Sequence, residues 1–281
     1  MTKRLLPFLS FLLAAVLLGA CSDFQKISKS DNVDKKYEAA LKYFEEEEYM
    51  KADALLNDLM PLLKGRSEYE QAQFTYAYTK FHQQLYLESS FHFTTFTETF
   101  PRSQYAEEAA FMNAKSLFYE SPSYNLDQQS TAKAMTAIQE FMRRYPQSKY
   151  LEEANDIYNQ LSLKVERKAF DNAKVYYNLR YYQSAVVALE NFRKSYPASP
   201  LAEEAAFLRV ESQYNYAKES IESKQEERYS EAVAMYQGFI DTYPQSKFLR
   251  TAEGYYENSL NAIKKIKDAT AAATASKAPT N

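Results

Sequence analysis

The 281-residue sequence has no Trp, only 4 Gly, a single Cys and 2 His. So little glycine argues against hairpin-rich β folds and Gly-lined phosphate loops, because both need backbone at positive φ. No G-x-x-x-x-G-K-[S/T], G-x-G-x-x-G or G-x-S-x-G motif occurs, so nucleotide-binding and nucleophile-elbow readings have no support. One Cys cannot form an intramolecular disulfide. The two histidines, His82 and His92, lack H-x-x-x-H spacing and a Cys partner, so no metal site and no cofactor are expected. Acidic and basic residues nearly cancel, at 37 against 34, and no basic stripe points to nucleic acid. What is abundant is aromatic: 25 Tyr and 18 Phe within a hydrophobic content of 46%. A chain of this length can form one large domain, two smaller ones or a repeat array.

The first residues stand apart from the rest. Lys3 and Arg4 precede the apolar run "LLPFLSFLLAAVLL", Leu5 to Leu18. A bilayer span needs roughly 20 apolar residues, so this shorter run reads as a secretory signal. Leu18, Gly19 and Ala20 before Cys21 resemble the lipobox of bacterial lipoproteins, in which the Cys becomes the acylated N-terminus. The alternative is an ordinary signal peptide with an incidental Cys. Two or more acyl chains anchor firmly where one does not, so the mature protein is expected as a soluble body tethered to a membrane. Ser22 rather than Asp after Cys21 favours the outer membrane, and "SDFQKISKS" lacks the acidic run of surface-exported lipoproteins. The body is therefore expected to face the periplasm.

The remainder repeats itself. "FTETFPRSQYAEEAA" from Phe96, "FMRRYPQSKYLEEAN" from Phe141, "FRKSYPASPLAEEAA" from Phe192 and "FIDTYPQSKFLRTAE" from Phe239 share one pattern. Pro101, Pro146, Pro197 and Pro244 are spaced by 45, 51 and 47 residues. Twelve residues before each Pro stand Ser89, Ala134, Ala185 and Ala232. Ala185, Leu189, Phe192 and Tyr196 define one face of an α-helix, which the Pro ends and whose following Ser caps the next helix. "YMKADALLNDLMPLL" fits the same template without the proline, through Tyr49, Ala52, Leu56, Leu59 and Leu63. Each such B helix is preceded by an apolar-periodic A helix. The expected fold is all-α, a superhelical array of about five tetratricopeptide-like helical hairpins with a C-terminal capping helix near residues 247–267. The expected segments are a signal peptide (1–20), acylated Cys and linker (21–33), repeats 1–3 (34–146), repeats 4–5 with the cap (147–268) and a disordered tail (269–281). "YESPSYNLDQQ" (Tyr119–Gln129) reads as a loop, Leu151–Leu179 as one long helix, and "ESIESKQEER" (Glu219–Arg228) as a lengthened turn.

Chemistry is sparse. The pairs Glu107–Glu108, Glu152–Glu153 and Glu203–Glu204 recur in the first turn of an A helix, where negative charge favours the helix dipole. His82 and His92 are expected at helix surfaces near the turn of hairpin two. Tyr145, Tyr196 and Tyr243 fall on core positions. A smaller aromatic group lies off that phase on A helices: Phe74, Tyr78 and Phe81, then Phe111, Lys115 and Phe118. These either join the core or line a groove suited to peptides with terminal aromatic residues. No enzyme constellation emerges.

The lipobox, the short linker and five long-period hairpins together resemble the BamD family, lipoproteins of the outer-membrane β-barrel assembly machine. "KYEAALKYFEEEEYMKADALLNDLMPLLKG" with "AQFTYAYTKF" is similar to that family's first two hairpins. "SPSYNLDQQSTAKAMTAIQEFMRRYPQSKYLEEA" and "KVYYNLRYYQSAVVALENFRKSYP" are similar to the third and fourth. The long loop and extra C-terminal helix look like the Bacteroidetes-type version. The resemblance implies a non-enzymatic scaffold without cofactor that binds the POTRA domains of a BamA-like protein through its C-terminal hairpins. It also implies that the N-terminal hairpins receive unfolded outer-membrane β-barrel proteins. On that division, Tyr177, Arg180 and Tyr181 are the expected partner contacts, and Phe74, Tyr78, Phe81, Phe111, Lys115 and Phe118 the expected substrate contacts. Another tetratricopeptide lipoprotein, such as a pilus-assembly pilotin or a Tol–Pal-associated factor, would share the fold. A glycan-capturing receptor of the SusD type would need a longer chain and Trp platforms.

Overall fold

The computed structural model describes residues 23–276. Those residues form helices and connecting turns, arranged as five hairpins and a cap. Hairpin one pairs α1 (Val33–Glu45) with α2 (Tyr49–Leu63), and hairpin two pairs α3 (Glu68–His82) with α4 (Tyr86–Thr99). Hairpin three pairs α5 (Ala106–Glu120) with α6 (Gln129–Arg144), and hairpin four pairs α7 (Leu151–Asn178) with α8 (Tyr182–Ser195). Hairpin five pairs α9 (Ala202–Lys218) with α10 (Glu222–Thr242), and α11 (Leu249–Ser276) follows. The chain divides into two compact units, residues 1–161 and 162–281, so the division falls within α7. The repeat pattern alone put its boundary at the turn after Tyr145.

The B-helix template is the core. Ala52, Ser89, Ala134, Ala185 and Ala232 are all essentially inaccessible, as are Leu56, Phe93, Ile138 and Leu189 one turn further on. Small side chains at the first position let paired helices approach closely, and the larger ones at the second fill the space between hairpins. Ser89 is the polar exception, and its hydroxyl is satisfied by Ala77 O at 3.1 Å and Ser116 Oγ at 3.0 Å.

Within hairpins one, two and four the turn has one geometry. Glu47, Gln84 and Arg180 each sit at φ 61. The amide after each donates back across the helix end: Glu48 to Tyr43 O, Leu85 to Lys80 O, and Tyr181 to Tyr176 O. This is the left-handed helix stop that usually takes Gly, here occupied by long polar residues. An aromatic three residues earlier and another two later (Phe44 and Tyr49, Phe81 and Tyr86) meet edge to face at 5.6 Å across the turn.

Between hairpins a second device recurs. Phe100, Tyr145, Tyr196 and Tyr243 end their helices at φ between −124 and −132 and ψ between 60 and 66, outside the helical region that a following Pro disfavours. The Ser two residues beyond the Pro accepts the amide two further on: Tyr105 N to Ser103 Oγ at 2.9 Å, Tyr150 N to Ser148 Oγ at 3.1 Å, Phe248 N to Ser246 Oγ at 3.1 Å. The same hydroxyls donate to a glutamate of the preceding A helix: Ser103 to Glu70 and Ser246 to Glu203, both at 2.5 Å, and Ser148 to Glu107 at 2.6 Å. The ring after each Ser stacks on a Phe of that same A helix: Tyr105 on Phe74 at 4.7 Å, Tyr150 on Phe111 at 4.6 Å, Phe248 on Phe207 at 4.6 Å. The glutamate pairs are therefore more than dipole partners. Their second members take the preceding A helix as well: Glu108 accepts Tyr78 Oη at 2.5 Å, and Glu153 and Glu204 pair with Lys115 and Lys174 at 2.7 and 2.6 Å. Hairpin one lacks the Pro, and its exit turn uses Gly65 at φ 88 instead.

Three segments differ from expectation. The sequence Glu219–Arg228 is mostly helix: α10 begins at Glu222, leaving a turn of three residues. Helix α11 runs on through Ala269–Ser276, where alanine's low helical cost extends it past the last packed turn. Within the segment expected as a linker, residues 23–28 are helical, and Phe24 and Ile27 pack on hairpin one, with Phe24 edge-on to Tyr43 at 5.8 Å. The loop between α5 and α6 and the single 28-residue helix α7 are as the sequence suggested.

One charge is buried among these hairpins. Lys80 has a side chain only 10% exposed and is held by Asp53 at 3.0 Å and Glu88 at 3.2 Å, over the Tyr76 ring. Burial alone would lower its pKa, but the bonds to Asp53 outweigh it and the net shift is upward. Asp53→Ala, which leaves this ammonium with only the more exposed Glu88, is expected to cost about 3 kcal/mol. Lys80→Met in that background should recover most of it, measured as urea midpoints. Ser148→Ala removes both the Glu107 tie and the amide cap, and should cost about 1–2 kcal/mol by the same measurement.

Candidate functional site

Unit one contains a cleft of about 400 Å³ on the A helices of its hairpins. Helix α1 supplies Leu41, Phe44 and Glu45, α3 supplies Phe74, Tyr78 and His82, and the start of α5 supplies Tyr105 and Glu108. The rings stand edge to face: Phe74 to Tyr78 at 5.1 Å, Phe44 to Tyr78 at 6.4 Å and Phe44 to His82 at 6.0 Å. His82 also stacks on Tyr49 at 4.2 Å and 5°. Burial holds the His82 imidazole below its ordinary pKa, only partly offset by Glu47, so it is neutral at neutral pH. Burial, then the bond to Glu108, pushes the Tyr78 hydroxyl far above its usual range. The cleft is thus largely aromatic, and Glu45 and Glu108 give it two acidic members and no basic one. It offers apolar, ring-lined space and hydrogen-bond acceptors, and no nucleophile paired with a base.

The six residues expected on the substrate face do not form one site. Phe74 and Tyr78 line the cleft. Phe81 turns towards the hairpin end, edge-on to Tyr86 at 5.6 Å and Tyr119 at 5.7 Å. Phe111 is 1% exposed and belongs to the core, where it stacks on Tyr150, so it offers no binding surface. Lys115 is spoken for by Glu153 and lies over the Phe111 ring at 5.7 Å. Phe118 is half-buried beside Tyr119 at 5.3 Å. These positions are repeats of one another: Phe74, Phe111, Phe170 and Phe207 pack between hairpins, and the residue four later reaches the next A helix. Leu41, Phe44 and Tyr105 were not singled out from the sequence, and His82 and Glu108 were read there as a helix-surface histidine and a helix-dipole partner. Phe44 had a signal, since it stands three residues before the left-handed turn, as Phe81 and Tyr177 do. His92 meets the Tyr76 ring at 4.6 Å, outside the cleft lining.

In unit two the expected partner residues separate. Arg180 and Tyr181 are exposed at the α7–α8 turn, Tyr181 at 61%. Around them lie Val175, Tyr176, Leu179 and Val187, all exposed apolar side chains. Tyr177 instead faces inward. Burial, followed by the Glu211 carboxylate, pushes its hydroxyl up to about 12. Glu211 also accepts Tyr255 Oη at 2.7 Å. Cys21 and the acylation read from it lie outside the described residues. Among the described residues no group of His, Cys, Asp and Glu could hold a metal ion. No helix among them is long and apolar enough to cross a membrane.

Repeated hairpins tied A helix to A helix define a helical-repeat protein of the tetratricopeptide type. The chain belongs to the outer membrane lipoprotein family YfiO, whose family model matches residues 29–165 and 151–273. This is the BamD-type family that the sequence resembles, a non-enzymatic scaffold type associated with the outer membrane. No curated protein matches the chain.

The tyrosines around Glu211 make an alkaline prediction. Their folded pKa values lie above the unfolded value of about 10, so their contribution to stability is complete below pH ~10. It is lost as pH rises from ~10 towards the folded value of about 12 for Tyr177. Tyr177→Phe with Tyr255→Phe should flatten the fall in thermal midpoint across that window, compared with the unmodified protein.

Proposed function

We propose that this chain is a lipid-anchored, periplasm-facing subunit of a β-barrel assembly machine of the Bacteroidetes type. Cys21, triacylated after removal of residues 1–20, holds it at the outer membrane. Unit one receives aromatic-ended segments of unfolded outer-membrane β-barrel proteins, and the α7–α8 turn of unit two docks on POTRA domains of a BamA-like protein. The observation that carries this reading is the cleft of about 400 Å³ built from Phe44, Phe74, Tyr78, His82 and Tyr105. Its size and ring lining suit a terminal aromatic side chain, which would insert between Phe44 and Phe74 and exclude water. Glu45 and Glu108 would repel the peptide's own carboxylate, so the chain end must point away from them. The exposed Tyr176, Leu179 and Tyr181 beside Arg180 supply the aromatic and arginine side chains that anchor protein interfaces.

Native purification of the lipidated protein from membranes, with mass spectrometry of co-purifying chains, tests the assignment. A large outer-membrane protein with several POTRA domains should dominate, and Tyr181→Ala should release it. Pilus or Tol–Pal components in its place would move the function to another envelope process. For the cleft, Phe44→Ala should weaken binding of a peptide ending in Phe by about tenfold or more, with little change in helicity. Equal affinity in the variant would rule the cleft out as the peptide site.

A further inference from the structure

Unit two carries its own cavity, about 750 Å³, between α8, α9 and α10. Its walls include Val187, Arg193, Arg209, Arg228 and Met235. The charges there are unequally matched. Lys224 pairs with Glu227 at 2.8 Å, and the buried Gln213 donates to Glu231 at 2.7 Å and to Arg228 O at 3.1 Å. Arg228 lies over the Tyr216 ring at 4.0 Å and donates to Ser220 Oγ at 2.5 Å, with the Glu227 carboxylate, itself bonded to Lys224, within electrostatic reach. Arg193 and Arg209 share a single carboxylate, Glu190, at 3.1 and 3.3 Å, and Lys194 draws on the same group at 3.6 Å. The Nε of Arg193 is shut away from water and makes no hydrogen bond, and the equally buried Nε of Arg209 has Glu190 Oε2 at 3.3 Å without hydrogen-bond geometry. Buried donors of charged groups left in this way are costly, and a planar guanidinium is shaped to take a carboxylate in a two-pronged bond.

The cavity is larger and more apolar than a small anion requires. Val186, Val187, Ala234, Met235 and Phe239 form its apolar wall. It adjoins a shallower depression of about 420 Å³ that shares Gln183 and Val187 and adds Tyr176 and Ala188. Val187 itself is 57% exposed, unusual for a Val amid helical packing. We propose that this trough binds an acidic, amphipathic segment of a partner polypeptide. Its carboxylates lie on Arg193, Arg209 and Arg228, and its apolar side chains on Val187, Ala188 and Met235. The inference does not depend on the assembly reading, because charge and shape select the partner segment whatever protein carries it.

The test uses the full-length lipidated protein in nanodiscs of neutral lipid and a fluorescein-labelled peptide of alternating Glu and Leu. The same peptide with Gln for Glu serves as control, and empty discs as blank. Anisotropy titration should show the acidic peptide binding and the Gln peptide binding at least about tenfold more weakly. Arg193→Gln and Arg209→Gln should each cost about tenfold, the loss expected for one charge-assisted contact. Val187→Asp, on an exposed position that leaves the fold intact, should cost a similar factor and decides the matter if an arginine variant loses helicity. Inorganic phosphate, compared with chloride at matched ionic strength, should not displace the peptide. Unchanged affinity in Val187→Asp and the arginine variants overturns the proposal. So does full displacement by phosphate, which would make the site a general small-anion pocket.

Discussion

The tie from three of the inter-hairpin turns, at Ser103, Ser148 and Ser246, back to the preceding A helix is the contact on which the remaining packing rests. A Ser hydroxyl there does two things at once, accepting an amide that would otherwise be unpaired and donating to a glutamate some 33 to 43 residues earlier. The ring two residues on is thereby set down flat on a Phe of the same earlier helix. A charged acceptor makes such a hydrogen bond stronger than a neutral one, and the stacked ring shields it from water. Hairpins that cannot bury their own faces are thus placed in register by a polar tie and an aromatic one side by side.

The functional surfaces grow from the same repeat. In the packed positions, Phe111, Phe170 and Phe207 are consumed by the stack, as Phe111's burial shows. Phe74 is also stacked, yet its far edge reaches the cleft because Phe44 and Leu41 of hairpin one leave space beside it. Unit two has a hydroxyl–carboxylate cluster of Tyr177, Tyr255 and Glu211, with Glu211 four residues beyond Phe207 as Tyr78 is beyond Phe74. Equivalent A-helix positions therefore serve binding space or a polar network according to their neighbours.

Much of this was legible before any coordinates. The spacing of Pro101, Pro146, Pro197 and Pro244, with a small residue (Ser89, Ala134, Ala185, Ala232) twelve before and Ala eight after each, marks helix ends and close helix contacts, and each of those positions is buried. Proline and small residues act locally, so their meaning survives in the linear sequence. The site was less legible. Phe111 and Phe74 have the same phase and the same residue type, and only the neighbouring hairpin separates core from cleft. The glutamate pairs read as helix-dipole partners because their serine and lysine partners lie at least 30 residues away. The helical extension of α10 over Glu222–Arg228 was missed because a charged stretch without apolar period carries no positive signal for helix.

By itself the sequence determined the all-helical class, the number of hairpins and the proline-marked turns between them. Each of these follows from local chemistry: proline's missing N–H, alanine's size, a 3.6-residue period. Only the tertiary structure decided which aromatics face open space, which carboxylate answers which hydroxyl, and that Arg193 and Arg209 must share Glu190. Those are matters of distance between residues remote in the chain, and a repeat that places many equivalent side chains cannot say which neighbour each will meet.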